Sequence, residues 1–441
     1  MTKVITYGTY DHLHQGHIRL LERARALGDY LIVGVTADGF DKARGKINVQ
    51  QSLMERIQAV KNTGLADEIV VEEYEGQKID DIRKYGVDIF TVGSDWKGHF
   101  DYLNEFCKVI YLDRTEGISS SEIRATARML RIGIIGETGL VNKFARECSY
   151  VNGVKVSGIY AESDDLLIES LKQIKVCSIE ELNEQSDAIY VASHPQKHYT
   201  HIKTALLLGR HVLCESPVTT DTKEFEELTE LAKERNLVLM DAVKTAYSLA
   251  FKRLLLLLKG KEIGDVVSIE TTCTSLLDLK SDGSDIQPYL WNSICWWGPN
   301  ALLPIFDIFG GEYKALQLYS KYLDNCDGFD MFTQGSFIFN NGVASFKVGH
   351  GVKSEGDMVI SGTRGYIYVP APWWKTDYFE VRYENQAENR RYFYQLEGEG
   401  IRNEILSFYK ATEGIKSEIE IPESTSMAII SIVQQVMTKK E

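Results

Sequence analysis

At 441 residues the chain is longer than one hydrophobic core usually spans, so two or three domains are expected. Hydrophobic content of 44% and charged content of 25% exclude a disordered or fibrous protein. A net charge of −14 argues against general nucleic-acid binding, which relies on excess Lys and Arg, but leaves room for a local basic pocket. The seven cysteines are odd in number and form no CxxC pair, so neither a disulfide framework nor a structural zinc site is expected, and a reducing cytoplasm fits best. The chain enters a strand at once with no signal-like segment. The apolar run Leu254–Leu258 is too short to cross a bilayer, so a cytoplasmic protein with no membrane contact is expected.

In chain order, Lys3–Tyr7 reads as a strand, and Gly8-Thr9-Tyr10-Asp11-His12-Leu13-His14-Gln15-Gly16-His17 follows it and opens a helix carrying Ile18, Leu21, Ala24 and Leu27. A strand-to-helix turn offers unpaired backbone N–H groups and the positive end of a helix dipole, which favour phosphate. His14 and His17 share one face of the first turn and can donate to phosphate oxygens whose charge grows as pyrophosphate departs. A metal site and a simple helix cap are the competing readings, but no third His or Cys lies at ligand spacing nearby. Further apolar runs at Tyr30–Val35, Glu68–Val71, Ile89–Val92 and Val109–Leu112 alternate with helical patterns, the rhythm of a doubly wound parallel sheet. Ligands sit beyond the carboxyl ends of such strands. That is where Gly93-Ser94-Asp95-Trp96 and the segment from Arg114 to Ser121 fall.

The segments GTYDHLHQGH, LLERARALGDYLIVGV, GSDW, FDYLNEFCKVIYL and RTEGISSSEIR together resemble the bacterial glycerol-3-phosphate cytidylyltransferases, of the HxGH nucleotidyltransferase class, over nearly all of residues 2 to 127. The resemblance implies that His14 and His17 contact the CTP triphosphate while Thr9, Tyr10, Asp11 and Gly16 shape the nucleotide turn. It implies that Asp95 and Trp96 seat the nucleotide and that Arg114, Thr115 and Ser119 grip phosphate. Lys46, Arg44 and Arg56 are expected to supply mobile positive charge to a site holding two phosphorylated substrates. Arg44 stands where the family has lysine, which keeps the charge but alters its geometry. The phosphate nucleophile is already ionised and needs no general base, so catalysis reduces to positioning and charge stabilisation. Mg²⁺ is expected to arrive with CTP, held mostly by phosphate oxygens with Asp11 nearby and with no direct protein ligand assigned.

From Arg131-Ile132-Gly133-Ile134-Ile135-Gly136 a second alternating pattern begins, with strands at Lys155–Tyr160, Asp187–Ala192, His211–Glu215 and Leu237–Asp241. From about Asp265 it gives way to longer alternating runs, Val267–Cys273, Ser336–Phe339, Ala344–Gly349, Met358–Ser361 and Tyr366–Val369, which read as a mostly antiparallel sheet. The pieces RIGIIG, DAIYVASHPQKHYTHIKTALLLGRHVLCESP, VISGTRGYIYV and GEGIRNEILSF resemble the glucose-fructose oxidoreductase and inositol dehydrogenase family. That resemblance implies an NAD or NADP site around Gly136, Glu162, Glu215 and Lys244. Three departures weigh against ordinary hydride transfer there. Gly136-Glu137-Thr138 replaces a Gly-x-Gly phosphate turn, Ser216 replaces the lysine of a Glu-Lys-Pro turn, and Pro304 replaces a histidine, with Asn300 and Asp307 at the flanking aspartates. Lys244, Asp307 or His198 are possible substitutes, although His198 equally reads as a histidine satisfied by backbone. The cluster Tyr289, Trp291, Trp296 and Trp297 reads as a sugar-like ligand wall or, with more weight, as core.

The expected organisation is α/β throughout: a nucleotidyltransferase domain (1–128), a dinucleotide-binding-like domain (129–250) and a mostly antiparallel α+β domain (251–441). The expected activity is transfer of CMP from CTP to a polyol phosphate, foremost glycerol 3-phosphate, giving CDP-glycerol for teichoic-acid or capsule synthesis. Two other readings of the second half stand beside it. One is an active reductase supplying the polyol phosphate, and the other is a non-catalytic ligand-binding or dimerising module in a homo-oligomer.

Overall fold

The computed structural model describes residues 1–11, 13, 15–37, 51–74, 76–113, 129–151, 153–276, 290–323, 329–375, 377–394, 396–415 and 421–438, excepting the side chains of Gln15, Asp95 and Glu397. The chain divides into two compact units, Met1–Met129 and Leu130–Glu441.

In the first unit, β1 (Lys3–Gly8), β2 (Tyr30–Thr36), β3 (Glu68–Glu72), β4 (Ile89–Gly93) and β5 (Lys108–Leu112) form one sheet in the order β3-β2-β1-β4-β5. Every neighbouring pair in it is parallel. Successive side chains of a strand point to opposite faces. Accordingly Val4 joins Leu21, Ala24, Leu31, Val33 and Val60 on one side, while Ile5 joins Ile32, Ile82, Phe90 and Leu103 on the other. Burial on both faces is the reason these strands read as continuous apolar runs.

The second unit opens with another all-parallel sheet, β6 (Leu130–Ile135), β7 (Val154–Tyr160), β8 (Ala188–Val191), β9 (His211–Glu215) and β10 (Leu239–Ala242), in the order β10-β9-β8-β6-β7. The helix Gly139–Cys148 covers one face through Phe144, whose ring stacks on Tyr190 at 3.6 Å and 5°. The remaining strands are β11 (Val266–Ser275), β12 (Ala315–Tyr322), β13 (Asp330–Ile338), β14 (Val343–His350), β15 (Met358–Gly362), β16 (Tyr366–Val369), β17 (Tyr378–Arg382) and β18 (Arg390–Phe393). They form one eight-stranded sheet, antiparallel except where β11 pairs with β14. One face of it packs on the helices Ser293–Phe309 and Glu423–Thr438 through Ile269, Phe337, Phe346, Ile305 and Val433. Pro299 and Pro304 both lie inside the first of these helices, where burial of Leu302, Leu303, Ile305 and Phe306 outweighs the lost hydrogen bonds. Among the described residues no helix is long and apolar enough to cross a membrane.

Candidate functional site

The site of the first unit is built where β1 ends and the helix Gln15–Arg25 begins, putting His17 in that helix's first turn. Tyr10 has φ +56° and is 1% exposed. Its ring lies beneath Gly8, where a Cβ would come within 2.9 Å of the Tyr10 ring, so only glycine fits. The same ring meets the His17 imidazole edge-on at 5.5 Å. Tyr10, expected at the nucleotide, is therefore a buried support for His17.

Arg56 also differs from expectation. It is fully buried rather than a mobile charge, donating from Nη1 to the carbonyls of Thr9 (2.7 Å) and Thr36 (2.8 Å) and from Nε to Gln51 O (3.1 Å). Ser52 and Glu55 form a reciprocal cap that starts the helix Leu53–Asn62 and presents Arg56 to the ends of β1 and β2. Asp11 is held in turn, its Oδ1 accepting from Gln51 N at 3.0 Å. One guanidinium thus fixes the turn on which the nucleotide reading depends, a role that residue type alone does not signal.

A second buried group was not singled out in sequence. Glu72 at the end of β3 pairs with Lys78, both under 10% exposed, and Thr36 Oγ1 donates to Glu72 at 2.9 Å. The Lys78 ammonium lies 4.7 Å from the Tyr7 ring centre and 5.5 Å from that of Phe100. The Tyr7 hydroxyl donates to Asp81 at 2.8 Å, and burial followed by that carboxylate pushes its phenol up. The fold is what brings these residues, from three strands and a helix, together inside the unit.

Beyond β4, the turn Ser94–Trp96 carries Asp95, and Trp96 packs against His99 and Phe100 at 5.5 and 5.9 Å. Gly16 lies in the first turn of the His17 helix. His14, Arg44, Lys46, Arg114, Thr115 and Ser119 lie outside the described residues. Among the described residues no group of three His, Cys, Asp or Glu could hold a metal.

In the second unit, Gly136 has φ +149°, and a Cβ there would come within 2.5 Å of Ala192 O, so glycine is required where β6 passes β8. Glu137 turns its carboxylate onto the Glu162 amide, with Oε2 accepting at 2.9 Å, while the Thr138 hydroxyl is buried without a hydrogen-bond partner. Glu162 pairs with Lys197, which lowers its pKa. Glu215 accepts from the Tyr190 hydroxyl, and burial pushes it up to about 7. Asp241 accepts from Ser426 Oγ at 2.7 Å and is pushed by burial to about 6. Glu404 is 1% exposed, with neither carboxyl oxygen hydrogen-bonded, and burial raises it strongly.

Two of the three groups considered as substitutes are taken up by the fold. His198 is fully buried with its ring nitrogens 2.9 and 2.7 Å from the carbonyls of Pro217 and Ser193, and burial lowers it to about 4. Asp307 accepts from Thr425 at 3.0 Å where two helices meet. Asn300 accepts from Thr245, and Pro304 is buried. Lys244 instead reaches Glu399, at 2.7 Å. Trp291 is 2% exposed and belongs to the core, and Trp296 and Trp297 pack against that core partly buried, Trp296 stacking on His350 at 5.1 Å and Trp297 meeting Trp374 at 4.7 Å with the rings tilted by 53°; Tyr289 lies outside the described residues.

A parallel sheet whose first turn presents a histidine from a helix start defines the first unit as a nucleotidyltransferase-type α/β domain, followed by a domain of dinucleotide-binding fold. The comparisons agree. Residues 5–126 match the cytidylyltransferase-like family, and residues 130–242 match the oxidoreductase family with an NAD-binding Rossmann fold. A glycerol-3-phosphate cytidylyltransferase from Bacillus spizizenii is 49% identical over 124 residues, which are 28% of this chain and 95% of that protein. An NADP(+)-dependent scyllo-inositol 2-dehydrogenase from Bacillus subtilis is 31% identical over 132 residues, 29% of this chain and 40% of that protein. A 3-ketoreductase from Actinomadura kijaniata, solved with NADP, shares the fold with a TM-score of 0.59 at 18% identity, covering 70% of this chain and 97% of its own. The chain belongs to the cytidylyltransferase-like family through its first unit, as a homologue of the glycerol-3-phosphate cytidylyltransferases, and carries an oxidoreductase-family domain behind it.

Proposed function

We propose that the first unit transfers CMP from CTP to glycerol 3-phosphate, releasing pyrophosphate and forming CDP-glycerol for a teichoic-acid or capsule polymer in the cytoplasm. The observation carrying this is the 49% identity across 95% of a glycerol-3-phosphate cytidylyltransferase, which spans the turn that Arg56 and Tyr10 hold beneath His17. A glycerol-phosphate oxygen attacks the α-phosphorus in line, and the bond to the departing pyrophosphate breaks. His14 and His17, with Arg114 and Lys46, balance the charge that develops. Thr9, Gly16, Asp95, Trp96, Thr115 and Ser119 seat the nucleotide, Arg44 meets the second phosphorylated substrate, and Mg²⁺ enters as part of the CTP substrate with Asp11 beside it. The test incubates the protein with each ribonucleoside triphosphate, Mg²⁺ and a panel of glycerol, ribitol and erythritol phosphates while pyrophosphate release is followed. CTP with glycerol 3-phosphate is expected to give the highest kcat/KM, and preference for ATP or for another polyol phosphate would refute the corresponding part.

For the second unit we infer a dinucleotide site with weakened grip. The glycine cradle at Gly136 persists and the Thr138 hydroxyl is buried without a partner, features that fit a phosphate-binding turn. The Glu137 carboxylate stands at that turn and occupies the amide of Glu162, while Ser216 and Pro304 remove groups that the family uses for hydride transfer. Gly136, Glu162, Glu215 and Lys244 would hold NAD or NADP, which would supply a hydride when bound. The three-part division at 128 and 250, and self-association into a homo-oligomer, belong to the same proposal. Sedimentation of the full chain tests the latter.

A further inference from the structure

The second unit gathers three like charges around one carboxylate. Lys143 Nζ lies 3.2 and 3.3 Å from the two carboxylate oxygens of Glu399, Lys244 Nζ 2.7 Å from Oε2, and Lys375 Nζ 2.8 Å from Oε1. The lysines come from three elements: the helix that follows the Gly136 turn, the segment after β10, and the turn Trp373–Lys375. Such convergence is set by tertiary structure and opposed by repulsion among the ammonium groups.

Glu399 reaches this position on a strained loop, with φ +57° at Gly398, +54° at Glu399 and +92° at Gly400. A Cβ at Gly398 would come within 2.2 Å of Glu147 Oε2, and one at Gly400 within 2.6 Å of the Lys244 carbonyl, so both glycines are needed to bring Glu399 in. A left-handed glutamate between two glycines is an outlier of the kind found at clamps and switches. Burial works against the charged carboxylate, yet Lys244, Lys375 and Lys143 hold Glu399 down to about 2. The cluster is open to solutes, with Lys375 37% and Glu399 30% exposed.

Three ammonium groups exceed the charge of one carboxylate by two. A phosphate monoester carries nearly two negative charges at neutral pH and offers three terminal oxygens, so it matches this donor set better than Glu399 does. We propose that Lys143, Lys244 and Lys375 bind the phosphate group of a small phosphate monoester, and that Glu399 is the internal counter-ion that fills the site until the ligand displaces it. The inference concerns the second unit alone, and absence of cytidylyl transfer would leave it standing.

Inorganic phosphate, dihydroxyacetone phosphate and NADP⁺ are titrated by calorimetry into the full chain, into Glu399→Gln, and into the double variant Lys143→Ala/Lys375→Ala. All substitutions lie in the second unit, so phosphate uptake by the first is common to the three proteins and subtracts. Glu399→Gln is expected to bind both monoanionic-to-dianionic phosphates at least tenfold more tightly than wild type, and the double variant to lose that uptake, with NADP⁺ affinity little altered. In the wild-type chain, amide hydrogen exchange in the peptide 396–402 is expected to rise when dihydroxyacetone phosphate is added. Identical phosphate isotherms in the three proteins, or a gain confined to NADP⁺, would overturn the proposal. If Glu399→Gln fails to fold, unchanged exchange of that wild-type peptide at saturating ligand overturns it.

Discussion

The two parallel sheets carry the same device, a strand running into a helix through a tight turn, and use its side chains in opposite ways. In the first unit the turn is held from outside by Arg56, which takes the Thr9 carbonyl, and by Gln51, whose amide takes the Asp11 carboxylate, while Tyr10 of the turn fills the space under Gly8. In the second unit the turn holds itself, because Glu137 is spent on the Glu162 amide and brings a carboxylate to the place where an anion would dock. Local architecture therefore marks where a phosphate can bind, while the neighbours of the turn decide how well.

The largest test of this contrast is removal of an imidazole. His14→Ala or His17→Ala should lower cytidylyl transfer at least about a hundredfold, since each removes a donor to developing phosphate charge. Steady-state kinetics on folded protein decide it, and near-normal turnover in both would remove the basis for the assignment.

Next is Arg56→Met, which keeps the bulk of the stem but deprives the Thr9, Thr36 and Gln51 carbonyls of a cationic donor. A loss of about 2–3 kcal/mol in stability is expected, the scale of buried hydrogen bonds to a charged group, together with reduced kcat/KM. Urea denaturation with parallel kinetics checks both, and full activity at unchanged stability would show that the turn does not need its support.

Making the second turn resemble the first should give a smaller gain. Glu137→Ala removes the carboxylate from the phosphate turn, and NADP⁺ affinity is expected to rise about tenfold, or about 1.4 kcal/mol. Calorimetry on the full chain reads it directly, and an unchanged or weaker affinity would mean that the Glu137–Glu162 bond serves the dinucleotide.

The smallest effect is on pH dependence. Glu215 and Asp241 are pushed up to about 7 and 6 by burial, and Glu404 is raised as well. These acids hold protons in the folded state at pH values where the unfolded chain has released them. Stability of the second unit should therefore fall as pH rises from about 4, the unfolded carboxyl range, through about 7. Glu404→Gln mimics the protonated acid, so it should leave the melting temperature near pH 5 almost unchanged and raise it near pH 8. A uniform shift at both values would contradict this assignment of charge.

Sequence by itself determined the strands of both parallel sheets to within two residues and the switch to a mostly antiparallel sheet, because strands buried on both faces must be apolar throughout and half-buried ones must alternate. It also located the two turns and their histidine, glycine and glutamate residues, since strand-turn-helix junctions are local and their residue types are dictated by backbone geometry. Tertiary structure alone decided the roles of long charged side chains. Arg56 reads as a mobile charge in sequence and is buried, His198 reads equally as chemical or as satisfied by backbone and the fold sets it against two backbone carbonyls, and Lys143, Lys244 and Lys375 are far apart in the chain yet meet at Glu399. An arginine or lysine reaches across several ångströms of flexible stem, so its partner is whichever acceptor the fold brings near, and no periodicity in the chain records that meeting.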